Sequence, residues 1–157
     1  MLINILLMIA TFAFMEGVAW FTHKYIMHGF LWNLHKSHHS ERHGAFELND
    51  FFGVFFAIIA IIFIKIGFEE LNYFFWIGLG ITAYGLAYFI FHDVIVHRRI
   101  KIKFIASSDY LKKIIRAHKI HHKTTTKENG EAFGFLYIAR KYRQAQAKAQ
   151  SRKSQIQ

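Results

Sequence analysis

The sequence is rich in histidine, and these residues are regularly spaced. The 157-residue chain holds 11 histidines, and all but His43 fall into four groups. The pattern H-x4-H followed by H-x2-H-H occurs once in each half of the chain. The grouped residues are His23, His28, His35, His38, His39, His92, His97, His118, His121 and His122. Because imidazole binds iron, zinc, copper and nickel, this repeated pattern predicts a metal centre built from nitrogen donors.

The spacing within each motif indicates how its rings could converge. In H-x2-H-H on a helix, the three residues share one face and offer three converging donors. The two residues of H-x4-H lie about 140° apart on an ideal α-helix, so either the helix opens there or the two rings serve different metals. So many rings suit two metals with about five ligands each. The Glu-x-x-His pair of soluble di-iron bundles is absent, which predicts a nitrogen-rich site.

Two acidic residues lie near the histidines in the sequence. Asp93 follows His92 directly and either orients a ligand ring or is a hydrated residue at a membrane boundary. Glu16 lies inside an apolar stretch, where an ionisable group is costly and is a functional hypothesis by default. It precedes His23 by one heptad, so it is a candidate acceptor for a ligand ring. Otherwise it is protonated, or packs against an Asn or Lys of another helix.

Apolar stretches must position these residues. The chain is 54% hydrophobic, and the excess lies in residues 2–21, 51–68 and 73–91. Each approaches the roughly 20 residues that a helix needs to cross a bilayer. The sequence therefore predicts an all-α integral membrane protein of three helices, or four if residues 133–139 also crossed. That last stretch is too short to cross and is expected to dip into the membrane interface.

The distribution of charge predicts the topology. Most of the 20 Lys and Arg lie after Asp93, whereas the turn at residues 69–72 is acidic. The positive-inside rule then places residues 22–50 and everything after residue 92, which include a histidine-rich helical cap, in the cytoplasm. The short N-terminus and the acidic turn are expected outside. The net charge of +10 follows this topology, so lipid headgroups explain it better than nucleic acid does. The first stretch has no basic region before it and is interpreted as a retained span rather than a signal peptide.

Composition also sets the boundaries of the domain and excludes several chemistries. The chain has no Cys, which excludes disulfides, thiolate metal sites and cysteine nucleophiles. Residues 1–139 form the predicted membrane domain. Residues 140–157 are basic and Gln-rich and are expected to be a disordered tail. His43, alone in a loop, is predicted to be a surface residue.

The motifs together resemble a known family, the bacterial β-carotene 3-hydroxylases of the fatty acid hydroxylase superfamily of membrane non-haem di-iron oxygenases. The resemblance covers nearly the whole chain to about residue 139. It rests on the segments HKYIMHG (23–29), HKSHH (35–39), FELND (46–50), HDVIVHR (92–98) and FGFL (133–136). Histidine boxes alone are shared across the superfamily, and the short chain and intervening sequence narrow the resemblance to the carotenoid group.

The resemblance implies a function and a set of ligands. The ten grouped histidines would bind two irons, with zinc as a possible substitute, in a bacterial inner membrane. O2 would be the oxidant, a ferredoxin-like protein the electron donor, and β-carotene would be converted through β-cryptoxanthin to zeaxanthin. Four aromatic residues near the histidines would line the path of the ring, or would be ordinary interface anchors. These are Phe30, Trp32, Phe89 and Phe91.

Two other functions compete with this interpretation. One is a related hydroxylase, desaturase or ketolase that acts on another carotenoid position, an acyl chain or a sterol. The other is a membrane carrier of metal or haem. A carrier would place its ligands near the middle of the membrane to form a path, whereas these motifs follow the predicted span ends.

Overall fold

The computed structural model describes residues 1–40 and 44–139 and is helical throughout its regular parts. The predictions for His43 and for the tail at 140–157 fall outside these residues. Five α-helices are present in the described chain: α1 (Leu2–Phe21), α2 (Trp32–His35), α3 (Asp50–Gly67), α4 (Tyr73–Tyr88) and α5 (Asp109–His121). A 3-10 turn, Lys36–His39, continues α2, and π-helical segments, Thr22–Phe30 and Phe89–Val96, continue α1 and α4.

Three continuous helical stretches in the described residues are long and apolar enough to cross a membrane. They are Leu2–Phe30, Asp50–Gly67 and Tyr73–Val96. Helix α4 packs against both α1 and α3. The core between the three helices contains Met15, Ala60, Ile81 and Tyr84. The prediction of an all-α integral membrane protein with three spans is therefore confirmed.

The spans bring their polar ends together. Helices α1 and α4 end, and α3 begins, at the same end of the bundle, because the short turn between α3 and α4 reverses the chain at the opposite end. Asn72 caps α4 there, and its side-chain oxygen accepts a hydrogen bond from the Phe74 amide at 3.0 Å. Every histidine motif therefore emerges at one end of the bundle.

Helix α5 lies outside the three spans and is amphipathic. Ser108 caps its start, with Oγ accepting from the Leu111 amide at 3.2 Å. One face buries Ile114, Ala117, His118 and His121, whereas Lys112, Arg116 and Lys119 are exposed. Because the buried positions recur every three or four residues, the helix turns its histidines inward.

Residues 132–139 form an irregular segment that packs on the helices. Phe135 and Ile138 are buried against Ile114 and Ala117 of α5. Glu16 binds the backbone of this segment and fixes it against α1. The segment does not form a fourth spanning helix, and its expected place at the membrane interface stays a prediction.

Two glycines of α4 provide a test of the helix packing. A Cβ at Gly80 would lie 2.7 Å from both the Met8 carbonyl oxygen and Thr11 Cβ, whereas a Cβ at Gly85 would meet nothing within 4 Å. Since small residues let membrane helices approach closely, we expect Gly80→Ala to destabilise the bundle by about 1–3 kcal/mol. The melting temperature in detergent should fall for Gly80→Ala and not for the control Gly85→Ala. Equal melting temperatures for the two variants would contradict this packing.

Candidate metal centre

The structure gathers the grouped histidines into two adjacent clusters. In the first cluster, one ring nitrogen from each residue lies within 4.8 Å of all the others: His23, His28, His35, His39 and His121. In the second cluster, the same holds for His38, His92, His97 and His118. His122 lies beside the second cluster, with its Nε2 2.8 Å from Nε2 of His118. The two halves of the sequence contribute to both clusters.

The π-helical segments explain the H-x4-H spacing. In a π-helix the backbone bond runs from residue i to i+5, so residues five apart lie on the same face. The His97 amide donates to the His92 carbonyl in this way at 2.9 Å. The rings of His92 and His97 are 4.6 Å apart, and those of His23 and His28 are 5.4 Å apart. The helix therefore opens at each H-x4-H pair, and the two rings of a pair do not serve different metal sites. Each pair stays within one cluster.

The three histidines of each H-x2-H-H motif do not converge on one cluster, contrary to the expectation of three converging donors. His35 and His39 face the first cluster, while His38 between them faces the second. Likewise His121 joins the first cluster, and His118 joins the second. The first motif spans the change from an α-helical to a 3-10 turn at Lys36, whereas His118 and His121 lie in the regular helix α5. Each triplet therefore lies between the two clusters and links them.

In the first cluster, Nδ1 atoms face hydrogen-bond acceptors. His23 donates to the Phe133 carbonyl at 3.1 Å and His121 to the Glu131 carbonyl at 2.8 Å. His35 donates to Asn49 Oδ1 at 2.7 Å. Since each acceptor is a carbonyl-type oxygen, these Nδ1 atoms carry the proton of a neutral ring, and the Nε2 atoms keep a lone pair.

In the second cluster, carboxylates take the place of the carbonyls. His38 Nδ1 lies 3.3 Å from Glu47 Oε2, and His92 Nδ1 lies 3.5 Å from Asp93 Oδ2. Arg99 connects the two acids: its Nε lies 3.0 Å from Asp93 Oδ1 and its Nη2 lies 3.5 Å from Glu47 Oε1. Asp50, at the start of α3, is 2.6 Å from the same guanidinium. Asp93 thus lies beside the His92 ring, and its role in orienting that ring stays a prediction.

The inward-facing nitrogens approach one another too closely for neutral rings alone. The Nε2 atoms of His23 and His35 are 3.2 Å apart, as are those of His38 and His92. For His23 and His35, whose Nδ1 atoms both donate outward, neither Nε2 can donate to the other, so bare lone pairs face each other. Nitrogen ligands at about 2.1 Å from a common cation would be separated by roughly these distances. The donor set therefore fits a metal site in each cluster.

Burial keeps the rings outside the spans neutral. Burial, together with repulsion from neighbouring rings, lowers the pKa of His35 to about 3 and that of His39 to about 4. The pKa of His121 is about 3 for the same reasons. For His38 and His118, burial followed by repulsion from nearby rings holds the pKa well below the usual value. Neutral imidazole is the form that binds metal.

Glu16 acts at a distance from the rings. Its Oε1 accepts from the successive amides of Phe135, Leu136 and Tyr137 at 2.8–2.9 Å, and its Oε2 accepts from the Tyr84 hydroxyl at 2.8 Å. Among the described residues, these bonds go to a backbone turn and a tyrosine rather than to a histidine. Glu16 therefore anchors the segment whose Phe133 carbonyl orients His23.

Sequence reasoning missed several residues that orient the rings. Asn49 and Glu47 lie in the FELND segment that supported the resemblance, but they were given no role. Arg99 follows the second H-x4-H pair, and nothing in the sequence pattern distinguishes it from the other basic residues of the chain. The backbone carbonyls at Phe133 and Glu131 could not have been found from side-chain types.

The aromatic residues predicted to line the substrate path have different positions. The Trp32 ring packs against His28, His35 and His39 at 5.0–5.9 Å, so it covers the first cluster. Phe91 packs on Phe135, and Phe30 and Phe89 are exposed. Of these four aromatic residues, Trp32 is therefore the one whose ring contacts the clustered histidines in the described part of the chain.

Comparison with known proteins defines the class to which this site belongs. The model of the family described as fatty acid hydroxylase matches residues 8–139, so the chain belongs to the fatty acid hydroxylase family. This membership agrees with a helical membrane protein that carries histidine clusters.

Individual relatives are more specific. The chain is 48% identical to "Beta-carotene hydroxylase" of Pseudescherichia vulneris, over 94% of this chain and 83% of that protein. It is 46% identical to the protein of the same name from Pantoea ananas, over 85% and 77%. It is 40% identical to "Beta-carotene 3-hydroxylase 2, chloroplastic" of Arabidopsis thaliana, over 85% and 47%. No solved structure matches the chain. The resemblance inferred from the histidine motifs is confirmed.

Arg99 offers a test of the second cluster. Because Arg99 joins the acids behind His38 and His92, we expect Arg99→Gln to loosen both rings and weaken metal binding at that cluster by about 10-fold or more. Titration of metal-depleted protein with Co²⁺, followed by absorbance and elemental analysis, should show one weakened class of site. Arg98→Gln, at the exposed neighbour, is the matched control. Identical titrations of the two variants would contradict a positioning role for Arg99.

Proposed function

We propose that this chain is a membrane-bound di-iron monooxygenase that hydroxylates the β-ionone rings of β-carotene at C3. The first product would be β-cryptoxanthin and the second zeaxanthin. The observation that carries the proposal is the pair of histidine clusters with converging Nε2 atoms, in a chain closely similar to bacterial β-carotene hydroxylases. The name of the Arabidopsis relative supports C3 as the position.

The ten grouped histidines are the proposed iron ligands. His23, His28, His35, His39 and His121 would hold one iron, and His38, His92, His97, His118 and His122 the other. Ligands that are all imidazole favour later divalent metals as well, so zinc can replace iron when the protein is overproduced. Two irons per chain is the expected content of active protein.

The reaction explains why the protein needs a metal. The ring methylene is an unactivated C–H group, which no side-chain acid or base can attack. Bound iron supplies the oxidising chemistry, with O2 and two electrons as co-substrates. One oxygen atom enters the C–H bond, and the other leaves as water with two protons.

The protein's own residues prepare the site for this reaction. Outward hydrogen bonds from Nδ1 fix five of the rings, so their Nε2 atoms are preorganised toward the clusters. These rings are His23, His28, His35, His38 and His121. Burial excludes water; His35, His92 and His121 are almost completely inaccessible. A dry and rigid site protects an oxidising centre from side reactions.

We further propose that the clusters face the cytoplasm of a bacterial inner membrane and receive electrons from a ferredoxin-like protein. The positive-inside rule supports this orientation, because the loop and segments around the clusters carry most of the basic residues. Helix α5 exposes Lys112, Arg116 and Lys119 on the face opposite its histidines. An acidic donor would meet complementary charge on this side.

Product analysis tests the function. A bacterium that already makes β-carotene should accumulate β-cryptoxanthin and zeaxanthin when it expresses this chain, seen by chromatography and mass as one and two added oxygen atoms. His28→Ala and His97→Ala, one in each proposed iron site, should give neither product, because activity needs both metals. Bound iron should be measured in the same preparations.

Each other outcome points to a different function. Keto products would indicate a ketolase, with oxidation moved to the adjacent allylic carbon. Unchanged β-carotene, with two irons bound and a competent donor present, would contradict the proposed substrate. Full activity of either histidine variant would contradict the ligand assignment.

Reporter fusions test the orientation. Fusions inserted at Gly44 and placed after Gln157 should report the cytoplasm, and a fusion at Glu70 should report the opposite side, because α3 separates the loop before it from the turn after it. A reporter that reads the cytoplasm at Glu70 and the outside at Gly44 would reverse the proposed orientation.

A further inference from the structure

We propose that the cyclic end of the substrate reaches the first histidine cluster through an apolar crevice between α1 and the segment 132–139. This inference rests on the proposed function, because it names the route by which a lipid-soluble hydrocarbon approaches the metals. The crevice encloses about 450 Å³. Its principal lining residues are Gly17, Trp20, Ala117, Ala132, Phe133 and Ile138.

The crevice ends directly beside the first cluster. Trp20 lies one helical turn before His23 on the continuous first span, and Ala117 lies one turn before His121 on α5. Phe133 lines the crevice, and its ring also contacts the cluster, with centroid distances of 5.5 Å to His23, 5.1 Å to His28 and 5.5 Å to His121. A group in the crevice would therefore lie next to a side chain that touches three of the ligand rings.

The mouth of the crevice lies at the level of the membrane. Gly17 and Trp20 belong to the span Leu2–Phe30 and precede its histidines, so they lie deeper in the bilayer than the cluster. Both residues are exposed on the surface of the bundle. A long polyene dissolves only in lipid, and an opening at this level lets its ring enter without crossing water.

Size and polarity also suit a hydrocarbon ring. The volume falls within the range of small-ligand pockets, about 300–1,000 Å³, which fits one cyclic end group while the polyene stays in lipid. Glu16 is the acidic residue in the lining, but its oxygens are already bound to Tyr84 and to three amides. The crevice is thus not a site for a cation or a polar ligand.

A second crevice suits this ligand less well. It encloses about 240 Å³ between the end of the third span and α5, and both Arg98 and Lys119 line it. Two cationic side chains would lose hydration if a hydrocarbon filled this space, and that loss is costly. The larger crevice is therefore the better site for a hydrocarbon ring, because it has more volume and no cationic side chain in its lining.

Gly17 allows the crevice to be filled without disturbing the helix. A Cβ at Gly17 would meet no atom within 4 Å, and the same is true at Gly53 on α3. The series Gly17→Ala, Gly17→Leu and Gly17→Phe adds increasing volume to the crevice, and Gly53→Phe is the matched control for a large side chain on a span.

The expected result is a graded loss of hydroxylation. The rate with β-carotene should fall little for Gly17→Ala and by about tenfold or more for Gly17→Phe, because the ring can no longer reach its reacting position. The iron content and the melting temperature of the Gly17 variants should match those of the unmodified chain. The activity of the control Gly53→Phe should also be unchanged. Purified Gly17→Phe should also retain less β-carotene per chain, measured by its visible absorbance.

Two results would overturn the inference, and they are distinct from failure of the proposed function. Equal rates and equal β-carotene retention for Gly17→Phe and Gly53→Phe would exclude this crevice while leaving the hydroxylase function intact. An unmodified chain that binds iron but does not convert β-carotene would contradict the function. In that case retention of β-carotene by the two variants still decides whether the crevice binds it.

Discussion

The close approach of bare imidazole nitrogens is the constraint on which the rest of the structure depends. Lone pairs about 3 Å apart in a buried site repel one another and cannot be satisfied by hydrogen bonds among themselves. The bonds from Nδ1 of His23 and His35 make this worse, since they forbid the tautomer that would relieve it. The folded clusters fit a cation at their centres, and its binding would be coupled to the stability of this end of the bundle.

Much of the fold and the gathering of the histidines could be predicted from the sequence. The lengths of the apolar stretches predict the three spans. Because successive spans cross the membrane in opposite directions, the histidine motifs of both halves of the chain lie at one end of the bundle. The partition of the rings was less predictable, because three histidines on one helix face suggest a single site. His38 faces the second cluster while His35 and His39 face the first, and His118 and His121 are divided in the same way within the regular helix α5. The H-x4-H spacing differs, since His28 returns to the side of His23 where the helix widens.

The groups that orient the histidine rings could largely not be predicted from the sequence, for a different reason. Phe133 and Glu131 act through backbone carbonyls, whose direction depends on how an irregular segment is held and not on residue type. Asn49, Glu47 and Arg99 are ordinary polar residues in loops, and their roles follow only from contacts across the fold. Glu16 is unusual because an ionisable group is costly inside a span, yet its backbone partners lie more than a hundred residues away in sequence.

The segment 132–139 joins the two aspects of the site. Glu16 holds its amides, its Phe133 carbonyl orients His23, and its Phe133 side chain touches both the first cluster and the proposed substrate crevice. The same few residues would therefore set both the position of a proposed ligand and the approach of the substrate ring. Because such an oxidation is sensitive to placement at the level of about 1 Å, fixing both through one anchored turn would keep them aligned. The cost of a partly buried carboxylate at Glu16 is offset by four hydrogen bonds, and this coupling accounts for its position inside the span.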